Sequence, residues 1–328
     1  MMDSQPRPFA DLTPDAVLGS LESLGLRCDG RLLALNSYEN RVYRVGQEDG
    51  PPLIAKFYRP GRWSDEAILE EHAFTAELVA EELDVVAPMM IGDQTLHRHG
   101  NYRVAVFPSV GGRAPEPGDR QTLLRLGQMI GRLHMVGARQ RFAHRPDITS
   151  QRLGHEPVAW LLAQQWLPDH LVEPFRQVSR HVLDAVQSLW QQAGELPTLR
   201  LHGDLHMGNM LVREDSLSLV DLDDCLNGPE VQDLWMLVSG EGDDLRRQVG
   251  WLLEGYSVFR EPEVRQWRLI EALRSLRLLH HNGWIARRWH DPAFPVAFPG
   301  FTGHQHWLEL IGQLHEQLAA MQEPALAI

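Results

Sequence analysis

The run Leu201-His202-Gly203-Asp204-Leu205-His206-Met207-Gly208-Asn209, followed by Val220-Asp221-Leu222-Asp223-Asp224, constrains this chain more than any other part of it. It sets a lone acid, an amide five residues further on, and a cluster of acids at the end of a short apolar run. Met210-Leu211-Val212 and Leu217-Ser218-Leu219-Val220 read as two short strands around the turn Arg213-Glu214-Asp215-Ser216. Gly203 and Gly208 supply backbone freedom at the two bends. This layout suits phosphoryl transfer, which asks for positioning and charge neutralisation and little covalent chemistry from the protein. Asp204 is placed to accept the proton of an attacking hydroxyl, and Asn209 and Asp221 to hold Mg²⁺ against the phosphates of a nucleotide. Mg²⁺ keeps several of its waters, so one carboxylate and one amide oxygen are enough from the protein. The competing reading is a polar turn between buried strands that happens to be rich in Asp and His. The length and order of the string weigh against it.

A chain of 328 residues exceeds the usual size of a single core, so two lobes are expected. Hydrophobic residues at 43% and charged residues at 23% are ordinary for a soluble globular protein. No apolar run reaches the length of a membrane span, and residues 1–8 lack the basic and apolar regions of a signal peptide. Cys28 and Cys225 define neither a disulfide framework nor a zinc spacing, and the 16 histidines show no metal-binding spacing. A cytoplasmic protein with no membrane partner is the expectation. The net charge of −13 argues against nucleic acid as a partner, since a phosphate backbone prefers a basic face. It suits a cationic substrate or a basic protein segment.

Apolar spacing and start signals place helices near 10–25, 64–82, 119–137, 155–166, 170–193 and 230–238, more from 243, and a last one near 303–321. Strands fall within 30–58 and near 89–95 and 102–107. The fold class is α+β. A strand-rich lobe over 1–108 with one main helix precedes a larger, mainly helical lobe over 109–328. The hinge lies at Phe107 to Arg113, and nucleotide sites in two-lobed folds sit at such a cleft. Lys56, on a strand after Ile54-Ala55, is placed to reach phosphates if a carboxylate fixes its rotamer; the helix from 64 to 82 offers Glu66, Glu70, Glu71 and Glu77. Arg287 and Arg288 are candidates for an anionic substrate group, while the Trp and Leu positions beside His280-His281 read as packing. Ser4 is open to modification, and the tail from Gln322 is expected to be poorly ordered.

The string H-G-D-x-H-x-G-N-x-L…V-D-x-D-D resembles the kinase fold in its HGD version, found in aminoglycoside, choline and homoserine kinases. The resemblance implies a bilobal protein-kinase-like fold with a small antiparallel sheet and one main helix in the first lobe. It selects Glu71, with Leu78 seven residues on, as the partner of Lys56. It implies that Phe107-Pro108-Ser109-Val110 meets the adenine edge through backbone groups. Pro108 has no N–H, which leaves the N–H of Ser109 or Val110 and the C=O of Phe107. It makes Asp233 an acceptor for backbone N–H groups of the catalytic loop, with His202 packed inside that loop. His206 is left to touch phosphate or to position Asp204.

Further segments extend the likeness along nearly the whole chain: Leu35-Asn36-Ser37-Tyr38-Glu39-Asn40-Arg41-Val42-Tyr43, Lys56-Phe57-Tyr58-Arg59-Pro60, Gly228-Pro229-Glu230-Val231-Gln232-Asp233-Leu234-Trp235 and Asp291-Pro292-Ala293-Phe294-Pro295. They are similar to the bacterial stress response kinase A group. That implies an ATP- and Mg²⁺-dependent serine/threonine protein kinase, cytoplasmic, tied to envelope or oxidative stress, and acting on a protein substrate that the sequence does not identify; a monomer is the expectation. By carry-over Asp204 accepts the proton, Asn209 and Asp221 bind metal, and Ser37 contacts ATP. Two departures stand out. The loop at 36–40 has no glycine where kinases carry a Gly-rich one; Ser37 can offer its hydroxyl and a backbone N–H instead, and the competing reading is an ordinary hairpin turn of Asn, Ser and Glu. No activation segment ending in A-P-E is present, which favours a small acceptor such as an amino alcohol, an aminoglycoside or a sugar. A third reading, a nucleotide-holding module without transfer, is opposed by the intact Lys56, Asp204, Asn209 and Asp221.

Overall fold

The computed structural model describes residues 8–214 and 216–324, so Ser4, Asp215 of the hairpin turn and the end of the tail lie outside the described residues. In chain order the elements begin with α1 (Pro14–Glu22), β1 (Cys28–Ala34), β2 (Arg41–Gln47), β3 (Leu53–Tyr58), α2 (Asp65–Ala80), β4 (His97–His99) and β5 (Tyr102–Pro108). Then follow α3 (Arg120–Gly137), α4 (Glu156–Ala163), α5 (Asp169–Ala193), β6 (Leu199–Leu201), β7 (Met210–Arg213), β8 (Ser216–Leu219) and β9 (Leu226–Gly228). The chain closes with α6 (Gly242–Tyr256), α7 (Ile270–Arg288), α8 (Ala293–Ala297) and α9 (His304–Ala320). Two compact units result. The first takes the chain up to residue 115 together with 143–145 and 208–224, and the second takes the remainder.

In the first unit, five antiparallel strands form a sheet in the order β1-β2-β3-β5-β4. Strand side chains alternate between faces. Ala55 and Phe57 of β3 therefore join Val45, Val104, Val106 and the α1 residues Val17 and Leu21 on one side. Tyr58 packs with Ile68 of α2 and Ala105 on the other, the side to which Lys56 also belongs. Both helices start where capping residues satisfy free N–H groups. Thr13 Oγ1 accepts from Ala16 and Ser64 Oγ from Ala67, each at 3.2 Å. The hairpin β7–β8 belongs to this unit. Leu219 N–H donates to Asp84 O at 2.8 Å, Val86 N–H donates to Leu219 O at 2.9 Å, and Arg113 and Val212 exchange two backbone bonds. The strand expected near 89–95 is not formed. Pro88 lacks a donor and Gly92 turns at φ +64°, so that stretch carries one isolated bridge and β4 begins later, at His97.

The second unit is mainly helical. Phe175, Val182 and Val186 of α5, Leu276 and Leu279 of α7, and Trp307 and Leu310 of α9 share its core. Helices α3 and α6 cross closely because glycines line the crossing. A Cβ on Gly127 would strike the Leu252 carbonyl, and one on Gly255 would strike the Leu124 carbonyl. The helix expected over 230–238 is instead two 3₁₀ turns, at Glu230–Asp233 and Trp235–Leu237. The side chains of Gln232 and Asp233 are spent on the loop at 202–203, which holds this stretch out of regular helix. Among the described residues no helix is long and apolar enough to cross a membrane.

The crossing yields a paired stability test on α6. Gly255→Ala forces a methyl against backbone and is expected to destabilise by about 1–3 kcal/mol. Gly250→Ala meets open space on the same helix and is expected to stabilise by roughly 0.5–1 kcal/mol. Chemical denaturation of both variants measures the difference; equal stabilities would show that the two helices separate without cost.

Candidate active site

In the first unit the site is built around a buried lysine. Lys56 Nζ lies 3.1 Å from Asp221 Oδ1, 3.1 Å from Asp223 Oδ1 and 3.6 Å from Glu71 Oε1. Lys56, Glu71 and Asp223 are each 6% exposed or less. An ammonium in such a place survives only if carboxylates replace its water. Burial works against its charge, and Asp223, Glu71 and Asp221 outweigh burial and hold the Lys56 pKa well above its ordinary range.

The carboxylates have partners of their own. Arg145 donates from Nη2 to Glu71 Oε2 at 2.7 Å, from Nη1 to the Asp223 carbonyl at 2.6 Å and from Nε to the Ala67 carbonyl at 2.7 Å. Its guanidinium lies 4.5 Å from the Trp63 ring centroid. The backbone N–H groups of Ala143, His144 and Arg145 all donate to the Glu70 carboxylate, so Glu70 fastens the loop while Glu71 faces the lysine. Asp223 also accepts from Arg62 and, at 3.0 Å, from Asn40 Nδ2. Burial opposes ionisation of Asp223, but Arg62 and Lys56 hold its carboxyl well below the usual carboxylate range. For Glu71, burial wins over Lys56 and raises the pKa.

Asp221 sits at φ +62°, a left-handed conformation uncommon outside glycine. The conformation turns its half-exposed carboxylate away from the strand direction, with one oxygen on Lys56. Val220 N–H donates to Asn209 O at 3.0 Å, which ties the segment bearing Asp221 to Asn209. One carboxylate and one amide carbonyl on a fastened loop are hard oxygen donors of the kind Mg²⁺ accepts, so these residues fit that ion.

In the second unit, Gly203 takes φ +86° and Asp233 accepts from the N–H groups of His202 at 2.8 Å and Gly203 at 2.9 Å, as the resemblance implies. Gln232 Nε2 donates to the Gly203 carbonyl at 3.0 Å. His134 Nε2 is 3.3 Å from Asp233 Oδ2 and its Nδ1 is 2.9 Å from Tyr256 Oη, so a histidine outside any motif braces the loop. The loop presents Asp204, whose Oδ1 accepts from Arg277 Nη1 at 2.7 Å and whose Oδ2 lies 3.6 Å from His206 Nε2. Burial raises the Asp204 pKa; the His206 hydrogen bond and the Arg277 charge more than offset it, and the carboxyl stays well below the usual range.

The first unit thus gathers Lys56, Glu71, Asn209 and Asp221, while Asp204 belongs to the second. Ser37 is half-buried in the bend between β1 and β2. Phe107 lies on β5 opposite Ile54, Ser109 Oγ accepts from Arg44 Nε at 3.3 Å, and Val110 is exposed. Asn40, Arg62, Arg145 and Arg277 carry no signal in the sequence, because their partners lie 73 to 183 residues away. Arg287, weighed as an anion ligand, stacks on Trp160 at 5.6 Å.

The chain matches the Phosphotransferase enzyme family (APH) over residues 31–270. It is 41% identical over 327 residues to Stress response kinase A of Escherichia coli K12, covering 100% of this chain and 99% of that protein. It is 40% identical, with the same coverage, to the Serine/threonine protein kinase RdoA of Salmonella typhimurium. Among solved structures, amicoumacin kinase hAmiN in complex with AMP-PNP, Ca²⁺ and Ami is similar with a TM-score of 0.66 at 18% identity, covering 90% of this chain and 95% of that one.

His72, on α2 one residue after Glu71, gives the site a pH signature. It bonds Tyr58 Oη at 2.9 Å and Thr95 Oγ1 at 2.8 Å. Burial, aided by the charges of Lys56 and Arg145, pushes its pKa down to about 3. Between there and about 6.5, the unfolded chain binds a proton that the folded one refuses. Stability therefore falls with falling pH in that window, by about 1.4 kcal/mol per pH unit from this group. His72→Gln is expected to flatten the fall of Tm between pH 6.5 and 4. An unchanged slope would mean that other groups, such as His280, also pushed down to about 3, carry the effect.

Proposed function

Because the chain belongs to the phosphotransferase enzyme family, we propose that it is an ATP- and Mg²⁺-dependent kinase that passes the γ-phosphoryl group to a serine or threonine hydroxyl of a protein. The observation that carries this reading is the buried Lys56 held by Glu71 with an exposed-edge Asp221 on a fastened loop. Lys56 steers the α- and β-phosphates, and Glu71 holds its rotamer. Ser37 touches the phosphates, and the Phe107 carbonyl with the Ser109 or Val110 N–H meets the adenine edge. Asn209 and Asp221 would hold Mg²⁺, which supplies charge neutralisation across the phosphates. Asp204 takes the proton as the acceptor oxygen bonds to the γ-phosphorus. The bond from that phosphorus to the β,γ-bridging oxygen breaks, and ADP leaves with the electron pair. Its depressed pKa keeps Asp204 ionised and ready at neutral pH.

A protein acceptor is supported by the full-length likeness to a relative named a serine/threonine protein kinase. Nucleotide use is supported by the similar fold of hAmiN, a kinase seen with an ATP analogue. That same kinase is named for amicoumacin, and aminopropanol kinase is a further similar structure, which favours the second reading, transfer to a small molecule. We place the protein in the cytoplasm as a monomer; Cys28 and Cys225, which do not form a disulfide, suit a reducing compartment.

Transfer of label from γ-labelled ATP to protein, in the presence of Mg²⁺, tests the reading. Asp204→Asn is expected to keep nucleotide affinity and to lose transfer by about 10²–10⁴-fold. Undiminished turnover in that variant would remove the proposal. Lys56→Ala is expected to raise the KM for ATP and lower kcat. Label appearing on an amino alcohol or aminoglycoside, with none on protein, would establish the second reading.

A further inference from the structure

The contacts around Asp204 say something about the acceptor. Arg277 on α7 is exposed, and among the described residues its one hydrogen bond is from Nη1 to Asp204 Oδ1. The rest of its planar fork is open to a ligand. One helical turn on, at i+4, His281 is exposed as well, with its ring 5.4 Å from Trp284 and 5.9 Å from Phe298. His206 lies on the other carboxylate oxygen of Asp204. The nearest acid one and a half turns earlier on α7, Glu271, is engaged by Arg274 with two bonds of 3.0 Å. The proton acceptor is thus flanked by a guanidinium on one oxygen and an imidazole near the other, with His281 one helical turn beyond the guanidinium. An acceptor bearing an ammonium group needs carboxylates or an open aromatic cage, and here it would meet Arg277 instead.

We propose that Arg277 is a specificity-determining residue that selects an acceptor hydroxyl flanked by a carboxylate, as in a serine or threonine within an acidic peptide segment. The inference rests on the kinase reading above. A carboxylate two bonds or one residue from the hydroxyl takes the open N–H groups of Arg277 in the bidentate manner that guanidinium favours. The hydroxyl then stands at the Asp204 oxygen that accepts its proton. His281, Trp284 and Phe298 supply an apolar wall for the adjoining chain. The same carboxylate could belong to a small hydroxy acid, and the choice between these sources is left to the acceptors used.

The test compares kcat/KM of the full chain with ATP and Mg²⁺ on two serine peptides of equal length, one flanked by Asp and Glu and one by Lys and Arg. Glycerate and ethanolamine are run beside them. The wild-type protein is expected to favour the acidic peptide by about tenfold or more. Arg277→Ala should collapse that ratio, chiefly through KM for the acidic peptide. Arg277→Lys should retain part of it, and Arg277→Glu should turn it toward the basic peptide. A ratio cancels any loss that Asp204 suffers equally on both substrates. Glycerate used in preference to either peptide, with the same dependence on Arg277, supports the proposal with the small acid as source. A wild-type preference for the basic peptide or ethanolamine overturns it, as does an Arg277→Ala variant that loses kcat equally on both peptides. Transfer to none of the four, with ATP still bound, overturns the kinase reading itself and this inference with it.

Discussion

The first unit depends on how one ammonium group is kept charged away from water. Lys56 must be on β3 for its strand neighbours Ala55 and Phe57 to fill the core on the opposite face. Once there it requires carboxylates, and three supply them: Glu71 from α2, and Asp221 and Asp223 from the segment after β8. Three negative charges around one positive charge would repel one another, so Arg62 and Arg145 enter as well. Arg62 also pairs with Asp224 and lies 3.7 Å from Glu39, which is itself 3.0 Å from Arg59, so the network extends past these groups. Deleting Lys56 leaves the buried Glu71 and Asp223 short of a partner, a loss that typically exceeds the worth of the pair. This explains why residues distant in the chain, 143–145 and 208–224, pack with the strand-rich unit rather than with their sequence neighbours.

The second unit meets a different demand, a carboxylate that stays ionised on a loop fastened by hydrogen bonds. Hydrogen bonds to backbone groups fix the loop. Asp233 and Gln232 together take two N–H groups and one carbonyl of residues 202–203, and His134 and Tyr256 extend the bracing into α3 and α6. The glycine contacts between those two helices set where His134 and Tyr256 meet. Asp204 is then ionised by what lies beside it, Arg277 and His206, and not by the loop that carries it. Fixing the position and tuning the charge are separate tasks given to separate residues.

Much of this could be read from the chain before the structure, and the limits follow from the range of the interactions. The long helices α3, α5 and α9 follow from apolar spacing, because 3.6-residue periodicity is a local record of which face is buried. The acids and amide of the 204–224 stretch stand out because their spacing is itself local, and the family they point to is the one to which the chain belongs. Arg145 and Arg62 have no such record. An arginine that closes a charge balance over 74 or 161 residues looks in the sequence like any surface arginine. The segment 230–238 has helical composition, yet its polar side chains are committed to the loop at 202–203, and tertiary hydrogen bonds override propensity there. The stretch 89–95 fails as a strand for a local reason, a proline and a turning glycine, which was present in the sequence and outweighed by its apolar residues.

Net charge illustrates the same point for function. The value of −13 invites a cationic partner, and at long range that field does bear on encounter. Contact is decided within a few ångströms, inside a screening length of about 8 Å at physiological salt. Within that range the Asp204 carboxylate meets the Arg277 guanidinium at 2.7 Å and the His206 ring at 3.6 Å, a local setting unlike the acidic surface as a whole. A cationic acceptor would be drawn to the protein and repelled at the reacting group. An acidic segment would approach against the mean field and be held where the reaction occurs. Selection at that point follows differential binding at the reacting atoms, so the local charges carry more weight than the total in naming the acceptor.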